Sequence, residues 1–187
     1  MTYKITAPLK EEDIRKLRAG DNVLLSGTIY TARDAAHKRM AQAMEEGDSL
    51  PFDFTDNVIY YMGPSPAREG RAVGSAGPTT AGRMDRWASS ILDRGLKGMI
   101  GKGRRSDQVH EAVRRNGAVY FAAVGGAGAL LSQSIKEAEV IAYEDLGTEA
   151  IRELRVEDMP LIVVIDSEGN DLYETAGIKY KTVYTSK

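Results

Sequence analysis

Two short glycine-bounded segments contain the side chains of this sequence that are best suited to chemistry. GPTTAGRMD places two adjacent hydroxyl groups, Thr79 and Thr80, shortly before Arg83, and GMIGKGRR holds Lys102 between two glycines. Arginine binds a carboxylate through two parallel hydrogen bonds, whereas lysine supplies a compact positive charge. Together the two segments indicate a binding site for a small anion.

The chain around the threonines favours the same interpretation. We expect a helix to begin at Thr79 or Thr80, and the free N–H groups of a helix start attract carboxylate or phosphate. Gly82 would let a ligand approach the backbone, and Arg83, four residues after Thr79, would share a helix face with it. A threonine here can also serve only as a helix cap, so the hydroxyl groups alone do not establish a ligand site.

A third basic junction lies nearer the start of the sequence. In TARDAAHKR, Arg33 stands between a predicted strand and a predicted helix, with Asp34 beside it and His37 one turn later. Asp34, His37 and Asp85 are candidate supporting residues. An arginine on a helix is usually a surface charge and a lone histidine is usually structural, so the functional hypothesis depends on these junctions meeting in space.

The charge distribution agrees with an anion site. The 187-residue chain has a net charge of −2, yet residues 67–105 contain nine basic and three acidic side chains, and residues 137–174 contain two arginines and twelve acidic side chains. A local positive field in an acidic protein suits a small anionic ligand. Nucleic acid is not expected as a partner, because the pI is about 5.8 and aromatic residues make up only 7%.

Composition excludes several other kinds of site. The sequence has no cysteine and two histidines, which excludes disulfides, thiolate zinc sites and an iron–sulfur cluster held by this chain alone. It has no apolar run of the ~20 residues that span a membrane, and no apolar leader. We therefore expect a cytoplasmic protein without membrane association and without a metal ligand of its own.

Hydrophobic periodicity predicts strands that alternate with helices through most of the chain. This alternation indicates a single α/β domain over residues 1–187, with a mixed, partly parallel sheet, flanking helices and an added β-hairpin. Strands are predicted at 22–30, 57–63, 97–101, 118–124 and 139–144. Helices are predicted at 10–21 and 32–47, from Thr79 or Thr80 onward, and at 106–117, 126–135 and 148–154, with the hairpin at 161–174.

A glycine-rich turn after the strand at 118–124 raises a competing hypothesis. Gly126 and Gly128 have the G-x-G spacing of a dinucleotide-binding turn, but Leu131 occupies the third glycine position. The strand is also not the first of a βαβ unit. A tight turn that allows close helix–sheet packing is the simpler interpretation.

Six stretches of the sequence together resemble one protein family. They are SGTIYTARDAAHKR, LPFDF, YYMGPSPA, GSAGPTTAGRMD, GMIGKG and AYEDLG. The pattern is similar to the β subunit, or C-terminal domain, of class I fumarate hydratase, of which the L-tartrate dehydratase β subunit is a relative. The resemblance extends from about Leu24 to Tyr173 and depends most on the long GPTTAGRMD run.

The resemblance implies a swivelling β/β/α domain and a hydro-lyase that interconverts (S)-malate and fumarate. It also implies that a [4Fe-4S] cluster is held by three cysteines of a separate α subunit, in agreement with the lack of cysteine here. The partners would be this α subunit and a C4 dicarboxylate substrate. Since symmetric assembly is usual, we expect a dimer of heterodimers.

The matching motifs also imply roles for single residues. Arg33, Arg83 and Lys102 would bind substrate carboxylates, and Thr79 and Thr80 would contact substrate. The catalytic candidates are Thr79, as the base, and Lys102. A threonine hydroxyl is a weak base at neutral pH, so Thr79 would need the positive charge of Lys102 or Arg83 nearby.

Two alternatives stay open at this point. The chain could be the β subunit of L(+)-tartrate dehydratase, which converts tartrate to oxaloacetate, because the same residues would bind both carboxylates of any C4 diacid. It could also be a non-catalytic assembly subunit that has kept the fold.

Overall fold

The computed structural model describes residues 1–123 and 128–176, which form a seven-stranded sheet with helices packed outside it. The strands are β1 (Thr2–Ala7), β2 (Asn22–Thr31), β3 (Val58–Tyr60), β4 (Gly98–Gly101), β5 (Val119–Ala123), β6 (Ile135–Ala142) and β7 (Ile151–Ile165). The α-helices are α1 (Glu11–Ile14), α2 (Asp34–Glu46), α3 (Asp85–Leu92), α4 (Asp107–Asn116) and α5 (Gly128–Gln133), and 3₁₀ helices span Ala81–Met84 and Glu144–Glu149.

Parallel pairing builds one part of the sheet and a single long strand closes it. Strands β1 to β5 are neighbours in chain order and pair in parallel. β7 runs antiparallel to β2, β5 and β6, so the sheet curls into a partly closed barrel. The predicted α/β class with a mixed, partly parallel sheet is confirmed, whereas the swivelling architecture stays a prediction. Since the parallel strands point the same way, the segments after β2, β3 and β4 all leave at one edge.

Apolar side chains cover both faces of the sheet. Alternate residues of β3 pack to opposite sides, with Val58 and Tyr60 in one apolar cluster and Ile59 in a second, which also contains Tyr61 directly after the strand. Strands buried on both faces are typical of parallel sheets with helical cover. Helices α2, α3 and α4 cover the second cluster with the buried side chains Ala36, Met40, Ala88, Ile91, Val109 and Val113. None of the described helices is long and apolar enough to cross a membrane.

The helix predicted at 106–117 is confirmed together with the signals at its two ends. Ser106 Oγ accepts a hydrogen bond from Val109 N at 3.3 Å, and Gly117 takes φ +56° after the last turn. α2 ends in the same way at Gly47, where φ is +73°. Glycine adopts this left-handed conformation without steric cost, so it stops a helix cleanly.

The helix predicted at 148–154 is wrong. The chain forms a 3₁₀ helix that ends at Glu149 and then enters β7 at Ile151. Ile151, Leu154 and Val156 are buried, and this part of β7 pairs with β2 on one side and β6 on the other. Pairing on both edges overrides the helix propensity of this polar stretch. The strand predicted at 139–144 begins earlier, at Ile135.

The hairpin predicted at 161–174 is only partly correct. Residues 161–165 are the end of β7, whose partners are β2 and β5. The returning arm is limited to one antiparallel bridge between Ile165 and Asp171, next to a hydrogen bond from Asp166 N to Asn170 O at 3.1 Å. Closure of the barrel has taken the pairing edges that a longer hairpin would need.

Candidate functional site

The three predicted basic junctions meet at the edge of the sheet where the parallel strands end. Arg33 follows β2, Lys102 follows β4 directly, and Arg83 lies in the 3₁₀ helix reached by the long loop after β3. In α/β sheets, ligands bind beyond the carboxyl ends of the strands. The position of this edge therefore agrees with the anion site predicted from the sequence.

The threonine segment lies beside the lysine loop like an added parallel strand. Thr79 N donates to Tyr61 O at 2.7 Å, and Lys102 N donates to Thr79 O at 3.3 Å. Ala81 N donates to Lys102 O at 2.8 Å, which completes a parallel bridge between Thr80 and Lys102. Thr80 and Lys102 are exposed and Thr79 is half-buried. The structure thus brings both threonines next to the lysine.

The glycines on either side of Lys102 set the path of its loop. A Cβ at Gly101 would come within 2.9 Å of both Ala81 Cβ and Tyr61 Cδ2. Gly103 takes φ +86°, a conformation that strains other residues. These glycines therefore let two backbone segments approach each other, and their conformation fixes where Lys102 leaves the sheet.

The helix predicted from Thr79 or Thr80 is present, with Thr80 at the N-cap position, but its first turn is a 3₁₀ helix. Regular α-helix begins only at Asp85, after the 3₁₀ helix Ala81–Met84, and Thr80 makes no side-chain capping hydrogen bond. The backbone of the threonine segment pairs with its neighbours instead, which keeps the segment extended. Thr79 and Arg83 therefore do not share a face of an α-helix, and the anion interpretation depends on the cationic side chains.

Two arginines of the site contact acidic side chains of the same chain. Arg83 Nε donates to Asp34 Oδ1 at 3.0 Å, and Arg33 Nε lies 3.9 Å from Glu149 Oε1. Within the described part of the chain, Arg33 Nε and Asp34 Oδ2 are buried without a hydrogen-bond partner. A buried polar atom without a partner costs about 1–3 kcal/mol, so a further hydrogen bond at either atom would stabilise the site.

Sequence reasoning missed two residues that hold Arg33 in place. A Cβ at Gly63 would come within 3.0 Å of Arg33 Nη1 and 2.9 Å of Thr148 O, so glycine leaves the space for this guanidinium. Glu149 accepts a hydrogen bond from Ala35 N at 3.3 Å, which ties a 3₁₀ helix to the first turn of α2. No local sequence signal marks either residue, since both are distant from Arg33 along the chain.

Lys102 differs from the two arginines because it has no acidic partner among the described residues. The side chain is exposed, and no residue of 1–123 or 128–176 forms an ion pair with it. An ammonium group in this position can bind an incoming carboxylate without first breaking an internal salt bridge. Of the three predicted cations, Lys102 is therefore the one most available to a ligand.

His37 is a buried core residue and does not reach the exposed part of the site. Its side chain packs against the rings of Tyr61 and Trp87, with centroids 5.4 Å and 5.9 Å away. His37 Nδ1 donates to Arg33 O at 2.8 Å, so the imidazole supports the backbone of the arginine. Burial lowers the pKa of His37 to about 4. We therefore assign it a structural role as a neutral imidazole.

The titration of His37 can be measured directly. Because its pKa falls from 6.5 to about 4 on folding, the unfolded chain binds the extra proton first, and the free energy of unfolding falls as pH drops below 6.5. At pH 5 this loss is about 2 kcal/mol. We expect the ring resonances of His37 to show a neutral imidazole in the folded protein at pH 5, and a charged ring there would contradict its burial.

His110 supplies the internal reference for this titration. Burial opposes its charged form, but hydrogen bonds to Ser106 O and Asp171 raise its pKa above the ordinary value. The two histidines therefore titrate on opposite sides of that value. A His110→Asn variant assigns the two sets of resonances, and urea unfolding of His37→Gln at pH 7 and pH 5 isolates the contribution of His37 to stability.

Asp85 lies behind the site. Its Oδ1 accepts from Arg105 Nε at 2.7 Å, and its Oδ2 accepts from Ser106 N at 2.6 Å. Arg105 is fully buried and was not predicted from the sequence, because its partner is distant along the chain. The predicted supporting role of Asp85 therefore concerns the loop that carries Lys102.

The described part of the glycine-rich turn does not support the competing dinucleotide hypothesis. Gly126 lies outside the described residues. A Cβ at Gly128 would come within 2.3 Å of Ser75 Oγ and 2.7 Å of Gly77 N, and Gly128 O accepts from Ala76 N at 3.1 Å. Close packing on this loop explains the glycine at 128, which favours the tight-turn interpretation.

The same site residues lie within a region that matches a known family. The family model described as Fumarase C-terminus matches residues 2–176 of this chain. The chain belongs to this family. Every candidate residue, from Arg33 to Lys102, falls inside the Fumarase C-terminus region, and the resemblance inferred from the sequence motifs is confirmed.

Curated relatives of this Fumarase C-terminus chain have two kinds of name. It is 40% identical over 174 residues to aerobic class I fumarate hydratase of Escherichia coli K12, which covers 91% of this chain and 32% of that protein. Identity to fumarate hydratase 2 of Leishmania major is 40% over 164 residues, or 87% and 29%. A putative L(+)-tartrate dehydratase subunit beta of Methanocaldococcus jannaschii is 37% identical over 91% of both chains.

The names of these relatives indicate their type of reaction, and their lengths show how much of each relative this chain covers. Hydratases and dehydratases add or remove water, so the relatives are hydro-lyases. The chain spans about a third of the length of the fumarate hydratases that it matches, but nearly all of the tartrate dehydratase subunit.

Proposed function

We propose that this chain is the β-type part of a hydro-lyase that interconverts fumarate and (S)-malate. Class I fumarate hydratases are among its relatives. The observation that supports the proposal most is Lys102, which is exposed, has no ion-pair partner among the described residues, and is bridged to Thr80 at the edge where Arg33 and Arg83 also lie. Three cations and two hydroxyl groups suit a small molecule with two carboxylates.

We assign the two substrate carboxylates to different cations. Arg33 and Arg83 both lie next to Asp34, and a carboxylate placed there would supply the missing acceptor for Arg33 Nε. The second carboxylate would bind Lys102, and the exposed hydroxyl of Thr80 would donate a hydrogen bond to it. Binding at two fixed points holds the carbon between them in place for proton transfer.

Thr79 is the proposed base of the dehydration direction. As an alkoxide it would take the proton from the carbon next to a carboxylate, and the electrons of that C–H bond would form the double bond as hydroxide leaves. The backbones of Thr79 and Lys102 are hydrogen-bonded, and a positive charge brought near the hydroxyl by Lys102 or Arg83 would favour its alkoxide form. The acid that protonates the leaving hydroxyl is proposed to lie outside this chain.

The donor groups of this chain do not fit an iron–sulfur cluster. There is no cysteine, His37 Nδ1 donates to Arg33 O, and the two nitrogens of His110 contact Ser106 O and Asp171 Oδ2. We therefore propose that the [4Fe-4S] cluster implied by the resemblance is bound by cysteines outside these 187 residues, in an α subunit or in a further domain.

The exposure of the site supports a partner at this edge. Thr80, Arg83 and Lys102 are exposed, whereas expelling water from an active site strengthens the electrostatic interactions inside it. We propose that the α subunit covers this edge, that the domain swivels relative to it, and that the cytoplasmic enzyme is a dimer of heterodimers.

The β subunit of an L-tartrate dehydratase is the second candidate. A relative with that name matches 91% of both chains, which supports a separate subunit of this length. The same cations would bind both carboxylates of tartrate. The two candidates differ in the extra hydroxyl group of tartrate, and we propose that the partner subunit recognises this group.

Assays of the enzyme purified anaerobically with its native partner distinguish these candidates. We expect kcat/KM for malate and fumarate to exceed that for tartrate by about 100-fold, the discrimination that one hydroxyl group allows. Tartrate turnover without malate turnover would establish the second candidate. Absence of turnover with either substrate, from an intact complex, would reject both and favour the assembly subunit.

A further inference from the structure

A buried arginine lies directly behind the proposed site. The side chain of Arg105 is 0% exposed. Its Nε donates to Asp85 Oδ1 at 2.7 Å, and its Nη2 donates to Tyr61 Oη at 3.2 Å. The guanidinium carbon also lies 5.2 Å from the ring centre of Tyr61 and 4.8 Å from that of Tyr120. Arg105 is thus enclosed by one carboxylate and two aromatic rings.

Stability alone is a weak reason to bury this charge. Removing a guanidinium from water carries a large desolvation penalty, and a well-packed apolar group of similar volume is often at least as stable. The planar guanidinium does have one property that an apolar group lacks, since it fixes several partners in one geometry. The role of Arg105 therefore depends on which residues its guanidinium holds together.

Those partners hold both backbone segments of the site. Tyr61, which accepts from Arg105, receives the hydrogen bond of Thr79 N at its own carbonyl oxygen, at 2.7 Å. Tyr120 Oη, whose ring packs on the guanidinium, donates to Gly103 O at 3.0 Å, one residue beyond Lys102. The arginine therefore contacts the supports of the threonine segment and of the lysine loop together.

Asp85 links Arg105 to the end of the lysine loop. Its second oxygen accepts from Ser106 N at 2.6 Å, immediately after the arginine. Ser106 in turn caps α4. The loop from Lys102 to Ser106 is consequently fastened at both ends, to the sheet at the lysine and to α3 through Asp85.

We propose that Arg105 is a positioning residue that sets the separation between the Thr79 hydroxyl and the Lys102 ammonium. It reaches both segments through Tyr61 and Tyr120, without touching substrate. This proposal rests on the proposed function for its catalytic consequence, but the coupling of the two segments is a property of the chain itself. The two parts can be tested separately.

Hydrogen exchange of the 187-residue chain tests the coupling. Ala81 N and Lys102 N form the bridge between the segments. Lysine at 105 keeps a charge but cannot bind Asp85 and Tyr61 in one planar group. We expect Arg105→Lys to speed exchange at both amides by about 10-fold relative to amides of β2. Equal acceleration across the sheet would overturn the coupling.

Leu17→Ala is the matched control for general destabilisation. Leu17 is fully buried and precedes β2, at the opposite end of the strands from the site. We expect its cavity to speed exchange without selectivity for the bridge amides. Selective opening of the bridge by this variant as well would show that the bridge is simply the weakest part of the sheet, and would overturn the proposal.

Steady-state kinetics of the assembled enzyme test the catalytic consequence. Tyr120→Phe removes the hydrogen bond to Gly103 O and keeps the ring, so we expect kcat to fall about 10-fold with KM changed less than about twofold. Arg105→Lys should lower kcat by about 100-fold. Leu17→Ala, at an equal or larger drop in melting temperature, should keep wild-type kcat.

The outcomes separate this proposal from the proposed function. If the wild-type complex has no hydratase activity, the proposed function fails and hydrogen exchange alone decides whether Arg105 couples the segments. If the wild type is active but Tyr120→Phe and Arg105→Lys keep its kcat, the positioning role is wrong. A rise in KM with constant kcat would also reject it, since that result indicates a role in binding substrate.

Discussion

Replacement of Lys102 by alanine is expected to abolish most of the hydration activity of the assembled enzyme. Lys102 is exposed, its backbone is bridged to Thr80, and its ammonium has no ion-pair partner in the described part of the chain. Loss of one fixed charge or donor from a site where negative charge develops costs about 100-fold or more in kcat. We expect KM to rise as well, because the same ammonium is proposed to bind one substrate carboxylate in the ground state.

The fold should not change in this variant. Exposed side chains without special contacts contribute within about 0.5 kcal/mol to the free energy of unfolding, so thermal and urea unfolding of Lys102→Ala should match the wild type. Arg104→Ala is the matched control. Arg104 is an exposed cation of the same loop, and its guanidinium carbon lies 5.6 Å from the Tyr173 ring centre. It should retain activity, since its contact is with that ring.

The two variants show whether activity needs a lysine at position 102 or only the overall positive charge of the loop. If Lys102→Ala and Arg104→Ala lose the same activity, the positive field of the loop matters and Lys102 has no special role. If Lys102→Ala assembles with its partner and keeps full activity, the assembly-subunit hypothesis is favoured. Lys102→Arg adds a further check, because a planar guanidinium cannot replace a compact ammonium at a fixed point.

Local sequence signals were sufficient to pick out the three cations that lie together at this edge of the sheet. Arg33 stands at a strand-to-helix junction and Lys102 between two glycines, and such junctions lie at the ends of strands wherever the strands are placed. The alternation of apolar and polar residues that is typical of a strand is also present in β1, where Ile5 and Ala7 are buried and Lys4 and Thr6 are exposed. That signal was present in the sequence but was missed.

The remaining features depend on contacts between distant parts of the chain. Thr79 is extended because Tyr61 and Lys102 form hydrogen bonds with its backbone. The local sequence GPTTAGR predicts only that a helix begins there. The stretch from Ile151 is a strand because β2 and β6 lie on either side of it. Arg105 has no local signal, since its partner Asp85 is twenty residues away.

Replacement of Gly27 by alanine is expected to lower the free energy of unfolding much more than the same replacement at Gly47. Gly27 is paired with Ala7 where β1 lies along β2, and its φ is +106°. A Cβ at this position would lie 2.2 Å from Ala7 O and 3.0 Å from Ala7 N. Both are backbone atoms, so relief of the contact requires β1 to move away from β2.

Gly47 provides a control that has the backbone conformation without the contact. It ends α2 with φ +73°, and no atom lies within 4 Å of a Cβ placed there. Gly47→Ala should therefore show only the conformational cost, about 1–2 kcal/mol. Gly27→Ala adds the steric conflict with the β1 backbone, which brings the expected loss to about 4 kcal/mol.

Urea unfolding of the two variants measures the difference directly. Should Gly27→Ala fail to accumulate as folded protein while Gly47→Ala does, the soluble yield gives the same ranking. A loss within about 1 kcal/mol of Gly47→Ala would mean that β1 does not lie against β2 at Gly27 as described. The effect on the site should be indirect, since β1 joins the sheet beside β2, the strand that leads to Arg33.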